Sequence, residues 1–276
     1  MTQANLQDWI GRSQTTEDAI DIGHASRIAA TLGEKAPAAG EVLSPLWHWC
    51  YFLESIPMTE LGTDGHPARG SFLPPADNRN RMWAGGRVNF EGEFRAGIAA
   101  SRRSTVSNIV EKQGRTGSLL FVTVTHEVEQ AGHRVIHEEQ DIVYRTPSPP
   151  KLTGSEAAPT AQWQMTVNPT STLLFRYSAL TFNGHRIHYD YPYVTQQEGY
   201  PGLVVHGPLI ATYMVQSFRQ ANPGKTVKHL AYRGLRPLIC PSPFMASGTV
   251  EEDGLARLWA EQDGTLAHQA ELRFEA

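Results

Sequence analysis

Apolar and polar residues alternate with a period of two along "GSLLFVTVTHEVEQAGHRVIHEEQDIVYR" (residues 117–145), with one interruption near Gln130 to Gly132. This predicts two β-strands joined by a glycine-containing turn. The chain ends on the same pattern. "GLARLWAEQDGTLAHQAELRFEA" (254–276) holds two alternating segments around Asp263-Gly264, a strong hairpin signal. A further long β stretch lies upstream of each pair: "GGRVNFEGEFRAGIAASRRSTVSNI" in the first half and "LAYRGLRPLICPSPFMASGTVEE" in the second. The period changes to that of a helix in "VVHGPLIATYMVQSFRQANPG", where Ile210, Met214 and Phe218 recur every four residues beside Leu209 and Tyr213. Pro208 suits the first turn of such a helix, and Asn222-Pro223-Gly224 ends it. The first 30 residues read as helical, with "TTEDAI" as cap and first turn.

The period is lost in "RTPSPPKLTGSEAAPTAQ" (145–162), which is proline-rich and small. The chain accordingly divides into 1–147, a linker over 148–162, and 163–276. In the second part a short helix precedes a polar block, a long apolar helix follows it, and antiparallel strands close the segment. A long helix wrapped by a curved antiparallel sheet is the hotdog arrangement. The repeated strand pattern predicts an α+β double hotdog, with the first half's own long helix around "PLWHWCYFLESIP" (45–57).

Composition narrows the function more than the fold. Apolar residues make up 40% of the 276, enough for a large core, and the net charge of −4 with no basic stripe argues against a nucleic-acid partner. The two cysteines, Cys50 and Cys240, are far apart and lie in no metal-type spacing. No apolar run approaches the roughly 20 residues that span a bilayer, and the N-terminus has no signal-peptide pattern. The expectation is a cytoplasmic protein without a membrane partner.

Candidate chemistry is concentrated in "LTFNGHRIHYDYPYV" (180–194). Asp190 is placed to cap a helix over "YPYVTQQEG", with Pro192 near its first turn. Asn183 and His188 remain, five residues apart, and "GYPGLVVHGPLI" then brings His206 and Gly207 to the start of the long helix. Unpaired N–H groups at a helix start are suited to a developing oxyanion. A metal set drawn from His185, His188, Asp190 and His206 is disfavoured, since HxxH outside a helix is not diagnostic.

These residues carry a resemblance. "FNGHRIHYD" followed by "YPGLVVHGPL" resembles the G-D-x-N-P-I-H-x-D and "HG" elements of the MaoC-like (R)-specific enoyl-thioester hydratases and dehydratases. Ile187, His188 and Asp190 match position by position. Asn183 stands where that motif has its catalytic Asp, and His185-Arg186 replaces Asn-Pro. In those departures, and in "LPPADNRNRMWAGG" (73–86), the chain looks like the type 2 3-hydroxyacyl-thioester dehydratases, a branch that includes mesaconyl- and itaconyl-CoA hydratases.

The resemblance implies reversible hydration of an α,β-unsaturated acyl-CoA, with no cofactor and no metal. A branched dicarboxylyl-CoA such as mesaconyl- or itaconyl-CoA, giving citramalyl-CoA, is the expected substrate. The alternatives are a 3-hydroxyacyl-ACP or -CoA dehydratase and, less favoured, an acyl-CoA thioesterase, which would need a carboxylate where Asn183 stands. His188 is the expected acid/base group and Gly207 N–H the oxyanion donor. Asn183, which has no useful basicity, is expected to hold the water.

Arg186 could grip a second substrate carboxylate, a backbone carbonyl or a carrier phosphate. His185 reads as a turn residue or a substrate contact, and His206 as a core histidine or a partner in proton transfer. Arg81, Trp83 and Arg87 are expected to line the same cleft from the first half, which is assigned shape and no catalysis. A homodimer through sheet edges is also expected.

Overall fold

The computed structural model describes residues 5–76, 79–114, 117–252 and 254–276. Asp77 and Asn78, inside the 73–86 signature, lie outside the described residues. Ten antiparallel strands form a single sheet. Five come from the first half: β1 (Ser13–Asp18), β2 (Asn80–Phe90), β3 (Ala100–Gly114), β4 (Gly117–Gln130) and β5 (His133–Arg145). Five come from the second: β6 (Trp163–Val167), β7 (Thr226–Gly234), β8 (Phe244–Glu252), β9 (Leu255–Gln262) and β10 (Thr265–Glu275). The order across the sheet is β1-β3-β4-β5-β2-β7-β10-β9-β8-β6. Each half therefore runs first, third, fourth, fifth, second from its own edge, and the two second strands meet in the middle.

The expected hairpins form as the turn chemistry requires. Ala131 (φ 52°) with Gly132 (φ 79°) and Asp263 (φ 54°) with Gly264 (φ 73°) both occupy the left-handed region that a two-residue hairpin loop demands. At the central β2–β7 seam no side chain fits beneath the ladder. A Cβ on Gly85 would lie 2.2 Å from the Tyr232 carbonyl oxygen, and one on Gly86 would lie 2.4 Å from that of Glu139.

The described residues hold four α-helices: α1 (Ile22–Leu32), α2 (Ser171–Leu180), α3 (Tyr191–Gln196) and α4 (Gly207–Ala221). Every residue of α4 from Leu209 to Phe218 is buried, and strands β6, β8, β9 and β10 wrap it. Side chains from both halves merge into one principal core, with Ile28, Trp47 and Val88 from the first and Met214, Phe218 and Leu258 from the second.

Two local expectations are corrected. Residues 13–18 form β1, in ladder with Ala100 to Thr105 of β3, so "TTED" is extended. The helix begins later, where the Asp21 carboxylate accepts the His24 N–H at 2.7 Å. The segment 45–57 is no central helix: only Trp47–Cys50 makes a 3-10 turn, and Leu46 (φ 72°) and Phe52 (φ 58°) break the backbone on either side. The first half's helix is instead α1, which buries Ala25, Ile28, Ala29 and Leu32 in the core. Residues 148–162 are pinned, because Ala158 N–H donates to Gly264 O and Leu266 N–H to Glu156 O.

Candidate active site

Asn183, His185 and His188 lie in the descent from α2 to α3. Asp190 caps α3 as expected, its Oδ1 accepting the Tyr193 N–H at 3.1 Å. A 3-10 turn over Arg186–His188 then directs the His188 ring inward, leaving that residue 7% exposed. His188 Nδ1 lies 2.7 Å from the Val204 carbonyl oxygen. A carbonyl only accepts, so Nδ1 carries the proton and Nε2 keeps its lone pair. Burial pushes the His188 pKa down to about 4 against the opposing bond to Val204, so the ring is neutral near pH 7.

His206 stacks on His188 with ring centroids 3.6 Å apart and planes 18° from parallel. Its Nε2 meets Ser178 Oγ at 2.9 Å, and burial holds its pKa far below the ordinary imidazole value. The next residue is Gly207, first in α4, whose amide precedes any intrahelical partner. A Cβ on Gly207 would fall 2.8 Å from Trp83 Cε3, so the indole packs directly on the helix start. Trp83 is held in turn by Trp49 and Tyr232, with centroids 5.1 and 4.9 Å away, and Trp49 donates from Nε1 to buried Glu138 at 2.9 Å. The structure thus brings His188, His206, Gly207 and Trp83 into one neighbourhood.

Asn183 lies two residues before His185, and its Oδ1 accepts the His185 N–H at 3.0 Å, fixing the turn. His185 stands edge-on to His188 with centroids 5.4 Å apart. Its other face meets a residue that sequence reasoning missed: His66 of the first half, 4.1 Å away. His66 Nδ1 approaches Asp64 Oδ2 at 3.3 Å. Burial lowers the His66 pKa and, with the neighbouring imidazoles, holds that of His185 far below its usual value. Against burial, the bond to His66 keeps Asp64 well below the ordinary carboxylate range. The available signal was "TDGHP", an aspartate and a histidine two apart across a glycine turn. Nothing local says that this loop meets residues 183–186.

Among the described residues, Asp64, His66 and His185 are the group whose potential metal-ligand atoms fall together, within 4.8 Å of one another. A cation there would compete with Arg69, whose Nη2 is 3.7 Å from Asp64 Oδ2, and with the positive charge of Arg81 beside both histidines. The surroundings favour an anion.

Two arginines depart from expectation. Arg186 turns away from the histidines: Nε and Nη2 donate to Asp190 Oδ2 at 3.0 and 2.8 Å, Nη1 donates to Thr63 O at 2.9 Å, and the guanidinium lies over the Tyr193 ring. Its donors are spent on structure. Arg87 is not brought to the site. A β-bulge between Trp83 and Gly85 reverses the alternation of β2, so residues 81 and 83 share one face and 87 points to the other. There it pairs with Glu139 at 2.7 Å and Asp141 at 2.9 Å, in the wall of a cavity of about 870 Å³ that none of the site histidines lines.

The chain is similar to several known proteins. The family model for hydroxyacyl-thioester dehydratase type 2 matches residues 46–240. The chain is 45% identical, over 88% of its length and 89% of the relative's, to mesaconyl-C(4)-CoA hydratase of Chloroflexus aurantiacus. It is 27% identical, over 80% and 81%, to the mitochondrial hydroxyacyl-thioester dehydratase type 2 of Schizosaccharomyces pombe. The fold superposes on a MaoC-like dehydratase from Phytophthora capsici with a TM-score of 0.73 at 13% identity, covering 98% and 97% of the two chains. A family match across most of the chain, with a closely similar hydratase along nearly all of it, settles the assignment: the chain belongs to the type 2 hydroxyacyl-thioester dehydratase family and is a hydro-lyase of acyl-CoA thioesters.

Proposed function

We propose that this protein adds water reversibly across the double bond of a branched dicarboxylyl-CoA, of the mesaconyl- or itaconyl-CoA type, to give citramalyl-CoA. The observation that carries the residue roles is the fixed tautomer of His188, bonded through Nδ1 to Val204 and stacked beside the start of α4. Similarity to a mesaconyl-C(4)-CoA hydratase supports the substrate class.

His188 Nε2 takes a proton from a water held by Asn183 as the oxygen bonds to the β carbon. The π electrons shift toward the thioester, and Gly207 N–H steadies the enolate oxygen. The imidazolium then returns its proton to the α carbon. A ring with a pKa of about 4 is a weak base but, once charged, a strong acid, so the second transfer is favoured. His206 and Ser178 keep the reacting ring in its plane. Residues 163–276 supply this chemistry, while residues 1–147 shape the acyl pocket through Trp83, Arg81 and the His66 loop. A homodimer through sheet edges is part of the same reading.

Purified protein should remove the enoyl-thioester absorbance of mesaconyl-CoA without releasing free thiol. His188→Ala should lower the rate by about 100-fold or more, as expected for loss of a general acid/base. Full activity in that variant would refute the assigned role, and thiol release in place of hydration would indicate a thioesterase.

A further inference from the structure

The hydration proposed above leaves open what holds the substrate's second carboxylate, since Arg186 and Arg87 are both committed to internal pairs. We propose that Arg81, together with the Tyr144 hydroxyl and His185, forms the receptor for that free carboxylate. This inference rests on the hydratase reading and specifies its substrate class.

Position comes first. Arg81 lies on β2 two residues before Trp83 and ahead of the bulge, so it shares the face on which Trp83 covers Gly207. Directly across the ladder on β5 stands Tyr144. Behind burial, the Arg81 charge acts on the pKa values of Tyr144, His66 and His185 alike. Among the described residues Arg81 makes no ion pair or side-chain hydrogen bond.

The second observation is independent of that charge. Tyr144 is fully buried, yet among the described residues its hydroxyl finds no hydrogen-bond partner. A buried O–H without an acceptor is costly, and a bound carboxylate would supply one. Guanidinium and phenol donate, and a carboxylate only accepts; the neutral His66 ring already turns its one N–H to Asp64, so His185 is the imidazole left to donate. The nearby Arg69, 5.3 Å from the Tyr144 ring centre, turns Nη1 to the Ala76 and Arg79 carbonyls and Nη2 toward Asp64.

The chemistry of the substrate fixes where such a receptor must lie. In a CoA thioester at C4 of a methyl-branched butenedioic acid, the free carboxylate sits on the β carbon itself. It must therefore rest immediately beside the group that delivers water to that carbon. His185, edge-on to His188 at 5.4 Å, is that neighbour, and His66 lies beyond it. A straight monocarboxylyl thioester would leave these donors without a partner, which is how a site built for a polar group rejects an analogue lacking it.

The test compares mesaconyl-CoA with crotonyl-CoA in wild type, Arg81→Met, Arg81→Lys and Tyr144→Phe. The expected result is a fall in the kcat/KM ratio, dicarboxylyl over monocarboxylyl, of roughly 100-fold in Arg81→Met. Arg81→Lys should restore part of it, and Tyr144→Phe should lower it by about 10-fold. An unchanged ratio, or parallel loss on both substrates, would overturn the proposal. Should Arg81→Met fail to fold, Arg81→Lys and Tyr144→Phe decide on the same criterion. A wild-type enzyme that hydrates crotonyl-CoA but no dicarboxylyl thioester would refute the receptor and leave the hydratase standing. Activity on neither would remove the hydratase reading itself.

Discussion

Gly207 shows how little room a single residue has at this site. An added methyl would lie 2.8 Å from Trp83 Cε3, closer than any relaxed contact, and Trp83 cannot retreat because Trp49 and Tyr232 pack against it. Gly207→Ala should therefore cost about 1–3 kcal/mol of stability and shift the amide proposed to face the thioester oxygen. The cost belongs to a pair, so Trp83→Leu in the same chain should recover stability that the two single variants would not predict additively. Thermal unfolding of the four chains measures this, and simple additivity would show that the contact does not matter. His188 and Gly207 were legible from the sequence because each is encoded locally, in a short polar block and at a helix start. His66 was not, since only the tertiary fold carries residue 66 to residue 185. Arg81 and Arg87 looked equivalent at an even spacing, and the bulge that separates them leaves no mark beyond the neighbouring glycines.

The loop 62–66 and the turn 183–186 behave as one interlocked element. Arg186 N–H donates to Asp64 O and its Nη1 to Thr63 O, both at 2.9 Å, while Gly65 and Gly184 pass backbone to backbone. Gly65 is required twice, by its left-handed φ of 85° and because a Cβ would lie 2.0 Å from the Gly184 carbonyl oxygen. Gly65→Ala should push the loop away and take His66 from His185. The loop is peripheral to the core, so we expect a fall in hydration of about 100-fold with a melting temperature lowered by only a few degrees. Unaltered turnover would show that the first half does not act in the site. Elements with strong local signals were readable: both hairpins, α4 with Pro208 in its first turn, and α3 under its Asp190 cap. The segment 45–57 misled because its aromatic density reads as a buried helix. Trp47, Tyr51 and Phe52 are indeed buried, but in and beside a tight turn.

Across the whole molecule, burial has been imposed on an unusual share of the imidazoles. Of eleven histidines, seven are held below the ordinary value: His66, His126, His185, His188, His206, His229 and His268, with burial the first cause in each. The consequence for stability has a definite sign. As pH falls from about 6.5 toward 4, the unfolded chain takes up protons that the folded chain refuses. The stabilisation is thus complete above the unfolded pKa and is lost as pH falls toward the folded values. For His188, from 6.5 to about 4, the full loss is about 3 kcal/mol, large against a typical net stability of about 5–15 kcal/mol. The carboxylates Asp64 and Glu138, held below their usual range, act only at lower pH and leave this window to the histidines. We expect the melting temperature to fall steadily between pH 7 and 5, with more than one proton taken up on unfolding near pH 5.5. His188→Gln, which keeps a neutral donor for Val204, should reduce that uptake. A melting temperature that holds level down to pH 4.5 would mean that these rings titrate as free imidazoles. The dry stack that keeps His188 neutral and poised would then not exist.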